Sequence, residues 1–145
     1  RLIFAPKISS TEQHLARHRC ADLFLDTLTH GGHGTAADAL WAGLPLITCP
    51  QDTFTSRVAA SLVAAAVRGE LIVDSNDAYD NLAVELAQTA DKFQAVRERL
   101  ERDRKTCALF DTDRYVCNLQ RAFLAMWQVH ASDRSASTFS VIETE

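Results

Sequence analysis

Gly31-Gly32-His33-Gly34-Thr35-Ala36-Ala37-Asp38 is the stretch on which the fold turns. It follows a short apolar run, Ala21-Asp22-Leu23-Phe24-Leu25-Asp26, and passes directly into a helical pattern from Thr35 to Trp41. Strand, glycine-bearing turn and helix in that order create an anion site. Glycines let the backbone approach a ligand closely, and the free N–H groups of the first helical turn point at it. The helix dipole adds partial positive charge there, so a phosphate or diphosphate is the natural occupant. His33 and Thr35 each add a side-chain donor. The competing reading is an ordinary strand-to-helix turn, and residues elsewhere must decide between them.

On the N-terminal side, Leu2 to Ala5 reads as a buried strand closed by Pro6. Ser10-Thr11-Glu12-Gln13 fits a capping box with Ser10 as N-cap, opening a short helix to about His18. That helix places His14, Arg17 and His18 on one face. On the C-terminal side the glycine-turn helix ends at Gly43, with Leu44-Pro45 behind it. Leu46 to Cys49 is then a third strand, and Asp52 or Thr53 caps a helix carrying Val58, Ala59, Leu62, Val63 and Ala66. Gly69 ends it and Leu71-Ile72-Val73 makes a fourth strand. Beyond it three apolar stripes follow: Tyr79 to Ala90, then Phe93, Val96 and Leu100, then Tyr115, Leu119, Phe123, Met126 and Trp127. All three read as core packing. Residues 1–130 form the expected folded part, and 131–145 a polar tail, disordered or loosely docked.

Short apolar strands alternating with helices predict an α/β fold with a parallel sheet covered on both faces. Ligands of such sheets bind outside the carboxyl ends of the strands. Three turns fall there, Pro6–Thr11, Thr27–Thr35 and Pro50–Thr53.

Composition narrows the function. The 145 residues, 47% hydrophobic and 23% charged, suit a globular domain. A net charge of −4 argues against a nucleic-acid surface, which needs a basic excess. No run approaches a membrane span, so no membrane partner is expected. Cys20, Cys49, Cys107 and Cys117 are widely spaced without a C-x-x-C pair. Free thiols in a reducing compartment are expected, with Cys20, Cys49 and Cys117 buried. The chain opens at Arg1 and enters strand-like sequence at once, and so reads as part of a longer protein.

The candidate site residues have more than one use. His14 suits stacking on a flat base or donating to a phosphate, or is simply a surface histidine. His14 and His18 have the i, i+4 spacing of a metal pair, but no third ligand completes it, so no metal site is predicted. His30 reads as a loop residue. Asp38, one turn into its helix, complements the dipole and is also placed to accept from ribose hydroxyls. No nucleophilic triad or paired carboxylates emerge, and strict GxGxxG is absent, which disfavours a dinucleotide site.

The run Ala21 to Thr27, then Gly32-His33-Gly34-Thr35, then Asp38 to Pro45 resembles the protein O-GlcNAc transferases. Further matches are Thr53 with Ser56 to Ser61, Glu70-Leu71-Ile72, Leu109 to Thr112, and Met126-Trp127. The resemblance spans about Arg1 to Trp127. It implies a GT-B glycosyltransferase of two Rossmann-like halves, with this chain in the later part of the second, nucleotide-binding half. It implies transfer of N-acetylglucosamine from UDP-GlcNAc to protein Ser/Thr hydroxyls with inversion and without a metal or other cofactor. It also implies an N-terminal catalytic half and tetratricopeptide repeats earlier in the same chain, and a cytoplasmic or nuclear location. Carried over by position, His14 would contact the uracil with Arg17 nearby. Gly32, His33, Gly34 and Thr35 would hold the diphosphate, and Asp38 would accept from the ribose. His33 and Thr35 would stabilise the leaving group, while the general base and a phosphate-contacting lysine would lie outside these residues.

Three positions depart from the family pattern. Gly34 stands where the first of two threonines is usual, which removes one hydroxyl donor. Ser10 and Thr11 stand where a ribose lysine is expected. Pro50-Gln51-Asp52 replaces Pro-Gly-Glu. Two rivals remain: a protein O-fucosyltransferase using a GDP-sugar, and a nucleotide-binding or interaction module without turnover.

Overall fold

The computed structural model describes residues 2–67 and 69–141. They fall into two compact units, Arg1–Leu109 and Phe110–Glu145. The first contains α1 (Thr11–Arg17), a 3₁₀ turn (His18–Cys20), β1 (Phe24–Leu25), α2 (Gly34–Trp41), β2 (Leu46–Ile47), α3 (Phe54–Val67), α4 (Asn76–Gln88) and α5 (Ala90–Asp103). The second contains α6 (Thr112–Ala131).

β1 and β2 pair in parallel, Phe24 opposite Leu46 and Leu25 opposite Ile47. A parallel bridge joins Thr48 to Ile72 on the other side of β2, so the predicted fourth strand is reduced to one bridging residue. The parallel α/β arrangement expected from the sequence is therefore present, in small form. β2 is the centre of the core: Leu46 and Ile47 are fully buried, as befits a strand covered on both faces. Leu40 of α2, Val63 of α3 and Leu100 of α5 are equally buried around it. Cutting Leu40 back to alanine at such a site costs about 2–5 kcal/mol, because a close-packed core leaves the cavity unfilled.

Local rules set the helix ends. Ser10 Oγ accepts from the Gln13 amide at 3.3 Å, as its capping pattern predicts. Thr53 Oγ1 accepts from Ser56 N at 3.3 Å and is the cap chosen at α3. Past the end of α2, Gly43 takes φ +84°, its N–H donates to Leu40 O, and Leu44 N donates to Ala39 O. That paired closure needs a left-handed residue, which glycine supplies without Cβ strain. The helical region after residue 75 breaks at Thr89, which ends α4 and begins α5.

Several expectations are corrected. Leu2 to Ala5 forms no strand: Leu2, Ile3 and Phe4 are 79–90% exposed, and among the described residues no neighbouring strand pairs with them. An extended apolar run becomes a strand only when its backbone groups find partners. The third stripe is likewise not core. α6 buries no residue, and Tyr115, Phe123 and Trp127 are more than half exposed, so its apolar periodicity alone did not make it core. All four cysteines are free thiols, but only Cys49 is buried. Cys20 ends an exposed 3₁₀ turn and Cys117 lies on α6, so apolar neighbours in sequence did not translate into burial. Residues 134–141 have no regular secondary structure.

Candidate functional site

In-register pairing of β1 and β2 places the next residue of each strand side by side. Those residues are Asp26 and Thr48, both buried, and Thr48 Oγ1 donates to Asp26 Oδ2 at 2.7 Å. The other carboxylate oxygen, Oδ1, accepts from the Gly32 amide at 2.7 Å. Tyr79 of α4 donates its hydroxyl to the Asp26 carbonyl oxygen at 2.8 Å. Burial first, then the negative charges of Asp26 and Asp80, push the Tyr79 phenol up to about 12, so it remains a donor.

The glycine turn is thus held from beneath, and it is held laterally as well. Gly31 N donates to the Thr55 carbonyl at 3.1 Å, and His33 Nε2 lies 3.3 Å from the same oxygen. A carbonyl only accepts, so Nε2 carries the proton in that contact and Nδ1 is the ring nitrogen left for another partner. Both bonds tie the turn to Thr55 in the first turn of α3, just beyond the predicted Pro50–Thr53 turn. The His30 ring stacks on His33 with centroids 5.3 Å apart and planes 11° apart. Phe54, largely exposed, stands edge-on to His33 at 6.3 Å.

A cleft of about 540 Å³ opens above this turn, lined among others by Thr27, His30, Gly32, His33, Gly34 and Thr35. α2 begins at its wall with His33 as N-cap, and the His33 side chain makes no capping bond. The first N–H groups of the helix are left to an external acceptor. At the far end of α2, Arg104, just after α5, donates to the Trp41 carbonyl at 2.5 Å, a cation at the negative pole of the dipole.

The sequence-predicted residues divide into two groups. Gly32, His33, Gly34 and Thr35 share the cleft wall, but the Gly32 N–H is turned inward to Asp26. His14 and Asp38 meet each other across α1 and α2, Nε2 to Oδ2 at 3.3 Å. Arg17 donates instead to the Pro6 carbonyl at 3.2 Å. His18 Nδ1 contacts the His14 carbonyl at 3.0 Å. The supports Asp26, Thr48, Thr55 and Tyr79 carried no role in the sequence reading. A carboxylate at the end of a short apolar run immediately before a glycine turn is the signal for Asp26, although the strand itself is only half-buried, with Leu25 exposed. Tyr79, 53 residues away, has none.

A small parallel sheet with a glycine turn and a helix N-terminus beside a cleft is the arrangement in which α/β folds hold anions. Residues 1–119 match the model of glycosyl transferase family 41, and the chain belongs to that family. It is 41% identical over 139 residues to a probable UDP-N-acetylglucosamine–peptide N-acetylglucosaminyltransferase SEC of Arabidopsis thaliana, covering 95% of this chain and 14% of that protein. It is 33% identical over 132 residues to the corresponding Caenorhabditis elegans transferase, covering 91% of this chain and 11% of that one. Its fold matches a Thermobaculum terrenum O-GlcNAc transferase mutant with a TM-score of 0.74 and 28% identity, over 80% of this chain and 22% of that one. The GT-B setting implied by the resemblance is borne out, and the chain spans a small part of each relative.

Proposed function

We propose that the protein carrying this chain transfers N-acetylglucosamine from UDP-GlcNAc to Ser/Thr hydroxyls of proteins with inversion, and that these residues supply the UDP-binding part. The observation that carries the reading is the start of α2, uncapped and facing the cleft with His33 and Thr35 beside it. As the bond from the anomeric carbon to the diphosphate breaks, negative charge grows on the departing oxygen. Preorganised amide dipoles, the Thr35 hydroxyl and His33 stabilise that charge where it develops. His33 contributes a second donor at Nδ1 when it is protonated, its Nε2 being engaged with Thr55. His14 and Arg17 serve the uracil and Asp38 the ribose. These groups do the work a divalent cation does in other transferases, so the reaction is proposed to be metal-independent.

Protein acceptors, an N-terminal catalytic half and tetratricopeptide repeats belong to the same proposal. So does a cytoplasmic or nuclear location, which the four free thiols support. The relatives named above, each a UDP-N-acetylglucosamine–peptide transferase, favour UDP over a GDP-sugar. Calorimetry on the full chain tests the donor: UDP binds and GDP does not, with EDTA without effect. Activity on a Ser/Thr peptide is lost in His33→Ala. A preference for GDP, or no transfer to any peptide, defeats the reading.

A further inference from the structure

We propose that Asp26 is a positioning residue for the donor diphosphate, acting through the glycine turn rather than by touching the ligand. The proposal rests on the reading of the cleft as a diphosphate site. Asp26 borders the cleft but is only 6% exposed, and both its carboxylate oxygens are already engaged by neutral donors, Gly32 N and Thr48 Oγ1, at 2.7 Å each. Among the described residues it forms no salt bridge. A buried carboxylate without a cation is costly to keep, and mere core filling would be met better by an apolar residue.

What the carboxylate achieves is geometric. Its two oxygens hold the end of β1, the residue after β2 and the Gly32 amide in one fixed triangle. Drawing the Gly32 N–H inward sets the plane of that peptide and so the direction in which the chain enters α2 at His33. The space is shaped to match: a Cβ on Gly31 would lie 3.0 Å from Asp26 Oδ2. Charge works in the opposite sense. A negative group beneath the turn repels a diphosphate above it, so electrostatics alone would favour a neutral residue here. Asp26 therefore helps the diphosphate by position and opposes it by charge, and the two effects separate experimentally.

The test uses the full chain with two probes, UDP and uridine, the second lacking phosphates. Asp26→Ala is expected to weaken UDP about tenfold, the scale of a lost charge-assisted hydrogen bond, and to leave uridine within about twofold. Asp26→Asn retains an acceptor for Gly32 N–H and loses the charge, so it is expected to bind UDP as tightly as the parent or more tightly. Thr48→Val leaves the carboxylate but frees one oxygen, and is expected to give a smaller loss confined to UDP. Equal weakening of UDP and uridine in Asp26→Ala, or a tenfold UDP loss in Asp26→Asn, overturns the proposal. Should Asp26→Ala fail to fold, unchanged UDP binding in Thr48→Val overturns it instead. A parent chain that binds uridine but gains nothing from the phosphates of UDP sinks the diphosphate reading itself, a result distinct from parent-like UDP binding in the variants.

Discussion

His14 and Asp38 are in direct contact, Nε2 to Oδ2 at 3.3 Å, although they come from different helices and 24 residues separate them. Under the proposed function one serves the base and the other the ribose, so the contact ties together two parts of the proposed donor site. The His14 side chain is 26% exposed and that of Asp38 47%, so the pair adds little to folding stability. His14→Ala and Asp38→Ala are each expected to weaken UDP about tenfold and to change unfolding free energy by less than about 1 kcal/mol. The double variant should lose less than the product of the two, because each residue orients the other. Strict additivity in a calorimetric cycle would contradict that coupling.

Gly34 offers a gain-of-function test. A Cβ built there meets nothing within 4 Å, and the residue opens α2 at the cleft wall. A Cβ is accommodated there, and threonine would add a hydroxyl donor at the cleft wall. Gly34→Thr is expected to tighten UDP about fivefold, the scale of one added hydrogen bond. Unchanged affinity would mean that the diphosphate lies out of reach of this position.

How far the sequence reached follows from what each feature depends on. Caps at Ser10 and Thr53, the stop at Gly43 and the buried β2 follow from residues within a few positions of one another. They came out as expected. The cleft wall from Gly32 to Thr35 was legible for the same reason. Leu2 to Phe4 and the apolar face of α6 were misread because periodicity gives the intention to be covered, not the partner that does the covering. Asp26 was overlooked as a support because its partners Thr48 and Tyr79 join it only after the strands pair and α4 packs. The roles of His14, Arg17 and Asp38 rest on resemblance, and the structure adds only the His14–Asp38 contact and the Arg17 bond to Pro6.

Gly31 tests the close packing beneath the turn. An added methyl would approach Asp26 Oδ2 to 3.0 Å and the Thr55 carbonyl to 3.3 Å, both held in hydrogen bonds. Gly31→Ala is expected to lower stability by about 1–3 kcal/mol through overpacking and to weaken UDP. Thermal melting together with UDP titration checks it, and a variant like the parent in both would mean that the turn yields freely.

Tyr79 gives a pH dependence. The phenol is raised from 10.0 to about 12 in the folded chain, mainly by burial. Below pH 10 both folded and unfolded chains hold the proton and its contribution is intact. As pH rises from 10 to about 12 the unfolded chain ionises first, so stability falls across that window. Tyr79→Phe should lack this alkaline component, at the cost of a lower stability near neutrality from the lost bond to Asp26. Parallel melting curves for parent and variant from pH 9 to 12 would contradict the assignment.

The bare apolar residues of α6 bear on anyone who handles these 145 residues alone. Leu124, Met126 and Trp127 stand in solvent together with Phe123, and Leu2 to Phe4 add a second oily strip. A polypeptide cut to this length is expected to stick to itself as its concentration rises, showing a sedimentation profile that depends on loading. Replacing Phe123 and Trp127 with polar residues should cure that stickiness while leaving the cleft lined by Gly32 to Thr35 unaltered, giving a reagent fit for ligand titration.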